Sequence, residues 1–322
     1  MINIKPRFYG KFDCYQNNVI GPVSEYWHID YFPVFWTEFN FVNESIKLPN
    51  TFEEIVFGVG NRFDRGKIWK EICGVSLTLC SYDDFKTFKE VIINELNKDN
   101  PVVIAMNSND VPWNQYFQIR PHCFLACGID ETSREIICSD GTFHPEDYCK
   151  IDTEYLYDKY QMLILLEHNK EPEKKWRELL TYFLDIFQDN NPQKANDIKR
   201  FAEYILYCWK REDLFKLSKN ISKSYFLLYV TEVCNSRHNF IKGLEYFEHK
   251  YRTDLFQSSI ADLTEVSSNW DAFKGLYIKS VLSKNKAYII KAVDLLYSIN
   301  EKEKRIADKI VLCCMQELKS YY

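Results

Sequence analysis

Apolar residues recur at helical spacing in SYDDFKTFKEVIINELNKDNP, where Phe85, Phe88, Val91, Ile92 and Leu96 share one stripe. Ser81 or Asp83 can cap its start and Asn100 with Pro101 ends it, so a helix is expected over about 83–98. The pattern then changes period. PVVIAM is a short apolar run rich in β-branched residues, followed by the polar loop NSNDVPWNQYFQIRP, and reads as a strand entering a loop. HCFLACGID and REIICSD, separated by Glu131, Thr132 and Ser133, read as an antiparallel hairpin, and YQMLILLEH at 160–168 as a further strand. Nearer the start, residues 14–28 (CYQNNVIGPVSEYWH) read as a short helix entered through Asp13 as N-cap and distorted by Gly21 and Pro22. The aromatic run YFPVFWTEFNF that follows fits neither period.

The charged stretch EHNKEPEKK marks a linker, which sets a boundary near residue 170 and divides the chain into 1–168 and 169–322. Beyond it every pattern is helical. Trp176, Leu179, Leu180, Phe183 and Phe187 form one stripe and Ile198, Phe201, Ala202, Ile205 and Trp209 the next. Further helices fit about 221–234, 238–251, 255–282, 286–299 and 301–319. No fixed-period repeat is present, so the second half is expected to be an all-α helical bundle after an α+β first half with an antiparallel sheet.

Composition narrows the class. In 322 residues, 46% hydrophobic and 16% aromatic content argue against disorder, and 27% charged residues argue against a membrane protein. The opening MINIKPRFYGKFDC lacks the apolar core of a signal peptide, so a cytoplasmic location is expected. Eleven cysteines spread thinly along such a chain are expected to be reduced thiols. The net charge of −5 divides unevenly: residues 1–165 carry 15 Lys+Arg against 24 Asp+Glu, and the remainder 26 against 22. The second half could therefore favour an acidic partner, while nothing has the basic, aromatic-interleaved character of a nucleic-acid binder.

Candidate chemistry centres on Cys14. A thiol is nucleophilic as thiolate, and a position one residue after a helix N-cap favours negative charge through exposed amides and the macrodipole. Asp13 reads as a cap and Asp130 as a turn residue. Among six histidines, His168 lies at the linker and His238 and His249 in the helical half, leaving His28, His122 and His144 as partners. His122 opens a strand whose hairpin partner ends in Asp140, a carboxylate that could accept from Nδ1 and turn the other ring nitrogen toward the thiol. His144 is the reserve. A zinc site built from His122, Cys123, Cys127 and Cys138 is disfavoured, because residues 123 and 127 on one strand lie about 13 Å apart at ~3.3 Å per residue. No metal or cofactor is expected. Trp113, Tyr116 and Phe117, in the loop before His122, are candidates for lining a substrate pocket.

The order of DCYQNN at a helix start, NPVVIAM, HCFLACGID and a hairpin ending in SD resembles the papain-like superfamily, over roughly residues 8–165. Within it the sequence is similar to the N-terminal domain family of butirosin biosynthesis protein H, related to the double-glycine type of bacteriocin-processing cysteine peptidases. The resemblance implies a triad of Cys14, His122 and Asp140. It also implies acyl transfer from an acyl carrier protein to an amine, in antibiotic or nonribosomal-peptide biosynthesis; hydrolysis by the same triad and a non-catalytic binding role are the alternatives. Papain-like peptidases place an oxyanion-hole Gln six residues before the nucleophile, where this chain has Phe8. The Cys14 amide with Gln16 or Asn17 are the substitutes considered.

Overall fold

The computed structural model describes residues 1–43, 45, 48–55, 57–59, 62–115, 121–130, 132–169, 175–189, 197–210, 221 and 224–320, and no side chains at 62–64. It is an α+β chain with an N-terminal antiparallel sheet followed by helices. Two compact units emerge: Met1–Tyr31 with Gly66–Pro172, and Phe32–Arg65 with Glu173–Tyr322.

In the first unit, Cys14 and Tyr15 begin a helical run that widens into a π-turn at Gln16–Ile20 and continues as α1 (Gly21–Trp27). The amide of Gly21 bonds back to the carbonyl of Gln16, five residues earlier, just before Pro22 brings a ring and no N–H. The wide turn makes room where a regular α-turn would press the proline ring on a carbonyl. A Cβ on Gly21 would stand 3.2 Å from the Tyr9 ring. The Gly-Pro pair thus modulates the helix without ending it.

Helix α2 (Arg62–Cys73) leads into a six-stranded sheet made of β1 (Val75–Cys80), β2 (Val102–Asn107), β3 (Pro121–Asp130), β4 (Glu135–Asp140), β5 (His144–Asp152) and β6 (Tyr160–His168). Their order is β1-β6-β2-β3-β4-β5, and all neighbours are antiparallel. Helix α3 (Phe85–Asn97) starts at Asp84, whose carboxylate accepts from the Thr87 amide at 2.8 Å, so the cap is neither Ser81 nor Asp83. The short α4 (Thr153–Lys159) joins β5 to β6. Phe88 and Ile92 of α3 and Leu156 of α4 pack with Ile104, Met106, Phe124, Ala126 and Leu163 in one core, the Phe, Ile, Leu and Met side chains each contributing about 1.5–3 kcal/mol.

A bulge in the β3–β4 hairpin decides what the sheet presents. Near the turn Asp130 faces Glu135 and Ile129 faces Ile136, whereas beyond Cys127 the partners are Ala126 with Cys138 and Leu125 with Ser139. Without this slip of one residue His122 and Asp140 would point to opposite faces; with it they lie on one face as diagonal neighbours. The other end of the hairpin is set by Asp130, whose carboxylate accepts from the amides of Thr132 and Ser133.

The turn after β4 is covered by the N-terminal segment. A Cβ on Gly141 would lie 2.0 Å from the Arg7 carbonyl oxygen and 2.9 Å from its nitrogen, both backbone atoms. Gly141→Ala is therefore expected to cost about 1–3 kcal/mol by displacing one backbone from the other. A thermal midpoint equal to that of the unsubstituted protein would count against this close approach.

The second unit holds α5 (Trp176–Asp189), α6 (Asp197–Trp209), α7 (Tyr225–Tyr251), α8 (Gln257–Ser283) and α9 (Lys286–Lys319). Two corrections arise here. Residues 32–65 belong to this unit and not to the sheet unit, because the irregular aromatic run supplies its core. Trp36 packs on Phe183 and Phe247, Phe39 on Phe187 and Phe240, and Phe41 on Phe201 and Trp270. Two short strands of the same segment, Phe41–Asn43 and Phe57–Val59, pair with each other. Secondly, the helices expected at 221–234 and 238–251 are one helix, as are those at 286–299 and 301–319. Arg237, in the gap expected between the first pair, is a partner in the core: it makes a bidentate pair with Glu303 at 2.8 and 2.9 Å, both essentially unexposed, and the Trp270 indole N–H also donates to Glu303; Asn300, the gap in the second pair, is likewise buried.

Candidate active site

The site is assembled on the start of the first helical run, the start of β3 and the end of β4. Asp13 and Gln16 close a reciprocal capping box, in which the Gln16 amide donates to Asp13 Oδ1 at 2.8 Å and the Asp13 amide to Gln16 Oε1 at 3.0 Å. Cys14 occupies the first position inside this cap and is partly exposed. Its thiol lies within interaction range of the His122 ring and the Cys123 thiol.

His122 is buried, and its Nε2 stands 2.8 Å from Asp140 Oδ2. The ring is thus turned opposite to the sequence-based expectation, which gave Nδ1 to the carboxylate. Nδ1 is buried and makes no hydrogen bond of full geometry among the described residues, so it is the nitrogen left for the thiol. Phe143 stacks on the ring with centroids 4.1 Å apart.

Asp140 is wholly unexposed and accepts five hydrogen bonds. Oδ1 takes Asn18 Nδ2 and the amides of Thr142 and Phe143 at 2.9–3.1 Å; Oδ2 takes His122 and the Trp113 indole N–H, both at 2.8 Å. Burial alone would raise its proton affinity, but the bonds from His122, Trp113 and the Phe143 amide outweigh it, and the carboxyl titrates below its ordinary value. Burial likewise opposes the imidazolium, yet Asp140 and Cys14 together push His122 up to about 9. Cys14 is held well below an ordinary thiol, first by the neighbouring Cys123 thiol and then by His122, against the opposing pull of burial and of Asp13. The arrangement stabilises a thiolate and imidazolium pair.

No family model matches this sequence, and no curated protein sequence matches it. The site therefore has to be interpreted from its own geometry.

Of the remaining sequence candidates, Trp113, Gln16, Asn17, His28 and His144 lie among the described residues. Trp113 donates its indole N–H to Asp140 and packs edge-on against Phe124, so it supports the carboxylate. Tyr116 and Phe117 lie outside the described residues. Gln16 accepts through Oε1 in the capping box, while the Asn17 side chain accepts from the Tyr9 amide and donates to Asn18 and Thr142, so Asn17 is committed within the fold. The Cys14 amide belongs to the first helical turn, whose amides have no acceptor within the helix. His28 ends α1 with φ of 56°, and His144 opens β5 opposite Asp140 in register. Among the described residues no group of three or more His, Cys, Asp or Glu could hold a metal ion, and no helix is long and apolar enough to cross a membrane.

Sequence reasoning missed Asn18. Its Nδ2 donates to Asp140 Oδ1 at 2.9 Å and to the Cys123 carbonyl at 2.7 Å, while its Oδ1 accepts from the Thr142 amide and hydroxyl. One buried amide thereby ties the helix to the strand of His122 and the turn of Asp140. The DCYQNN string contains it, but helical periodicity gives no sign that a buried Asn faces a carboxylate.

Proposed function

We propose that this chain is a cysteine-dependent acyltransferase of papain-like type, with Cys14 as nucleophile, His122 as acid and base, and Asp140 as the group that orients the imidazole. The observation that carries the reading is the continuous line from the Cys14 thiol through His122 to an Asp140 carboxylate that five donors keep ionised.

In the proposed reaction the Cys14 thiolate attacks the carbonyl of a carrier-bound thioester. The carbonyl oxygen gathers charge opposite the Cys14 amide, and the imidazolium of His122 gives its proton to the departing carrier thiol. A Cys14 thioester results. The neutral imidazole then takes a proton from an incoming amine, which displaces Cys14 and leaves as the amide. Asp140 remains ionised throughout and holds Nε2, so that Nδ1 faces the reacting sulfur. The family resemblance supports a carrier-protein donor, an amine acceptor and a setting in antibiotic or nonribosomal-peptide biosynthesis in the cytoplasm, and the surplus of basic residues after position 165 suits an acidic carrier.

The test is incubation of the full chain with acyl-carrier thioesters of several chain lengths, followed by intact-mass measurement. A single acyl adduct is expected, mapped to Cys14, absent from Cys14→Ala and discharged as an amide when an amine is added. If no acyl group labels Cys14, the reading fails. If the adduct discharges to free acid at a rate that amines do not change, the same residues serve a thioesterase or peptidase.

A further inference from the structure

Cys123 is a buried thiol beside the nucleophile that the acyl-transfer steps leave unused. It follows His122 on β3 and is 7% exposed, whereas Cys14 is partly exposed. Their contact has an independent geometric basis. Asn18 lies four residues after Cys14, about one turn of the widened helix, and its Nδ2 donates to the Cys123 carbonyl at 2.7 Å. That bond fixes this side of the helix on the strand at residue 123. Across this contact the two thiols are electrostatically coupled, Cys123 favouring the thiolate of Cys14 and Cys14 the thiol of Cys123.

The pair is asymmetric. Cys14 has thiolate character and is the less buried residue of the two, while Cys123 keeps its proton and is buried. Cys127, Cys138 and Cys149 are buried thiols whose protons are held more tightly than usual, chiefly by burial. Sulfur oxidation favours an exposed thiolate with a second thiol at hand to resolve it.

We propose that Cys14 and Cys123 form a peroxide-driven, reversible disulfide that switches the nucleophile off and protects it from irreversible oxidation. The consequence for activity rests on Cys14 being the acyl-accepting residue; the disulfide chemistry does not. In the first step the Cys14 thiolate attacks one oxygen of hydrogen peroxide and the O–O bond breaks, giving a Cys14 sulfenic acid and hydroxide, which takes up a proton to become water. In the second, the Cys123 sulfur attacks the Cys14 sulfur. The S–O bond breaks as the S–S bond forms, and the departing hydroxide takes the Cys123 proton as a second water. Two thiols have been oxidised by two electrons and one peroxide reduced to two waters.

The experiment uses the full, reduced chain treated with a small excess of hydrogen peroxide, blocked with iodoacetamide and mapped by mass spectrometry. Chymotryptic cleavage after Phe124 separates Cys123 from Cys127. The expected result is a linked Cys14–Cys123 peptide lighter by two hydrogens, with loss of Cys14 alkylation that dithiothreitol fully restores. In Cys123→Ser the same treatment is expected to take Cys14 to sulfinic acid, which dithiothreitol does not reverse. The proposal is overturned if Cys14 of the unsubstituted protein goes to sulfinic acid as fast as in Cys123→Ser, or if it links to a different cysteine. Should Cys123→Ser fail to fold, the peptide map of the unsubstituted protein decides alone. Because the map needs no acyl substrate, its failure is distinct from failure of acyl labelling at Cys14.

Discussion

Asp140→Asn is expected to lower the rate of acyl-enzyme formation by about three to four orders of magnitude and to destabilise the sheet unit by about 3–5 kcal/mol. The reason is the accounting of donors. Two N–H groups converge on Oδ2 and three on Oδ1, so an amide in either orientation sets its NH2 against donors. If the NH2 faces His122, the imidazole can relieve the conflict by moving its proton from Nε2 to Nδ1, but Nδ1 then cannot accept from the thiol, and the Trp113 N–H stays opposed. If the NH2 is turned the other way, it meets the amides of Thr142 and Phe143. Each arrangement costs either stability or the tautomer that the chemistry needs. Acylation rates and thermal midpoints of Asp140→Asn measured together decide the matter. Wild-type acylation in a folded variant would remove Asp140 from the proposed line.

This dependence also shows where the sequence is informative. His122 at a strand start and Asp140 at a hairpin end are legible, because strand and turn signals are local. Their meeting is not, because it depends on a one-residue slip near Cys127 that no residue preference announces; read from the turn end alone, the hairpin would set the two side chains on opposite faces. The direction of the ring was likewise inaccessible, since it follows from Trp113 and Asn18 fixing the carboxylate from long sequence distances. In the helical unit, Arg237 looks like an interruption of an apolar stripe when read one helix at a time, while its partner Glu303 lies inside an expected helix. As a buried ion pair they join two long helices, and periodicity misplaces the break at 235–237 for that reason. The aromatic run after residue 31 failed for a related cause. Its rings follow the spaces left by helices far away in sequence, so they keep no period of their own.

The pH dependence of Cys14 reactivity is expected to separate a coupled thiolate from an ordinary thiol by about 30-fold at pH 7. A free cysteine with a pKa of about 8.5 is only a few per cent thiolate at that pH. In this protein Cys123 and His122 hold the proton affinity of Cys14 well below the ordinary value, so its thiolate should already dominate at neutrality. Alkylation by iodoacetamide, scored on the Cys14 peptide because Cys80 and Cys313 are also partly exposed, is expected to stay high well below pH 8 and to fall only in acid. His122→Ala should move that limb toward the free-thiol value and slow alkylation at pH 7, by less than the full ~30-fold because the Cys123 contribution remains. The alkaline side reports a different group. The His122 proton affinity is raised to about 9, so the imidazolium that protonates a leaving thiol persists through neutrality and is lost as the pH rises through about 9. Acylation should therefore decline there while alkylation, which needs no proton donor, does not. Stability follows the same signs. The contribution of His122 is complete below the free-imidazole value of about 6.5 and disappears as the pH rises through about 9, and that of Asp140 is present above the free-carboxyl value of about 3.9 and disappears as the pH falls. An alkylation curve with its midpoint near 8.5 and no response to His122→Ala would mean that Cys14 and His122 do not act as a pair.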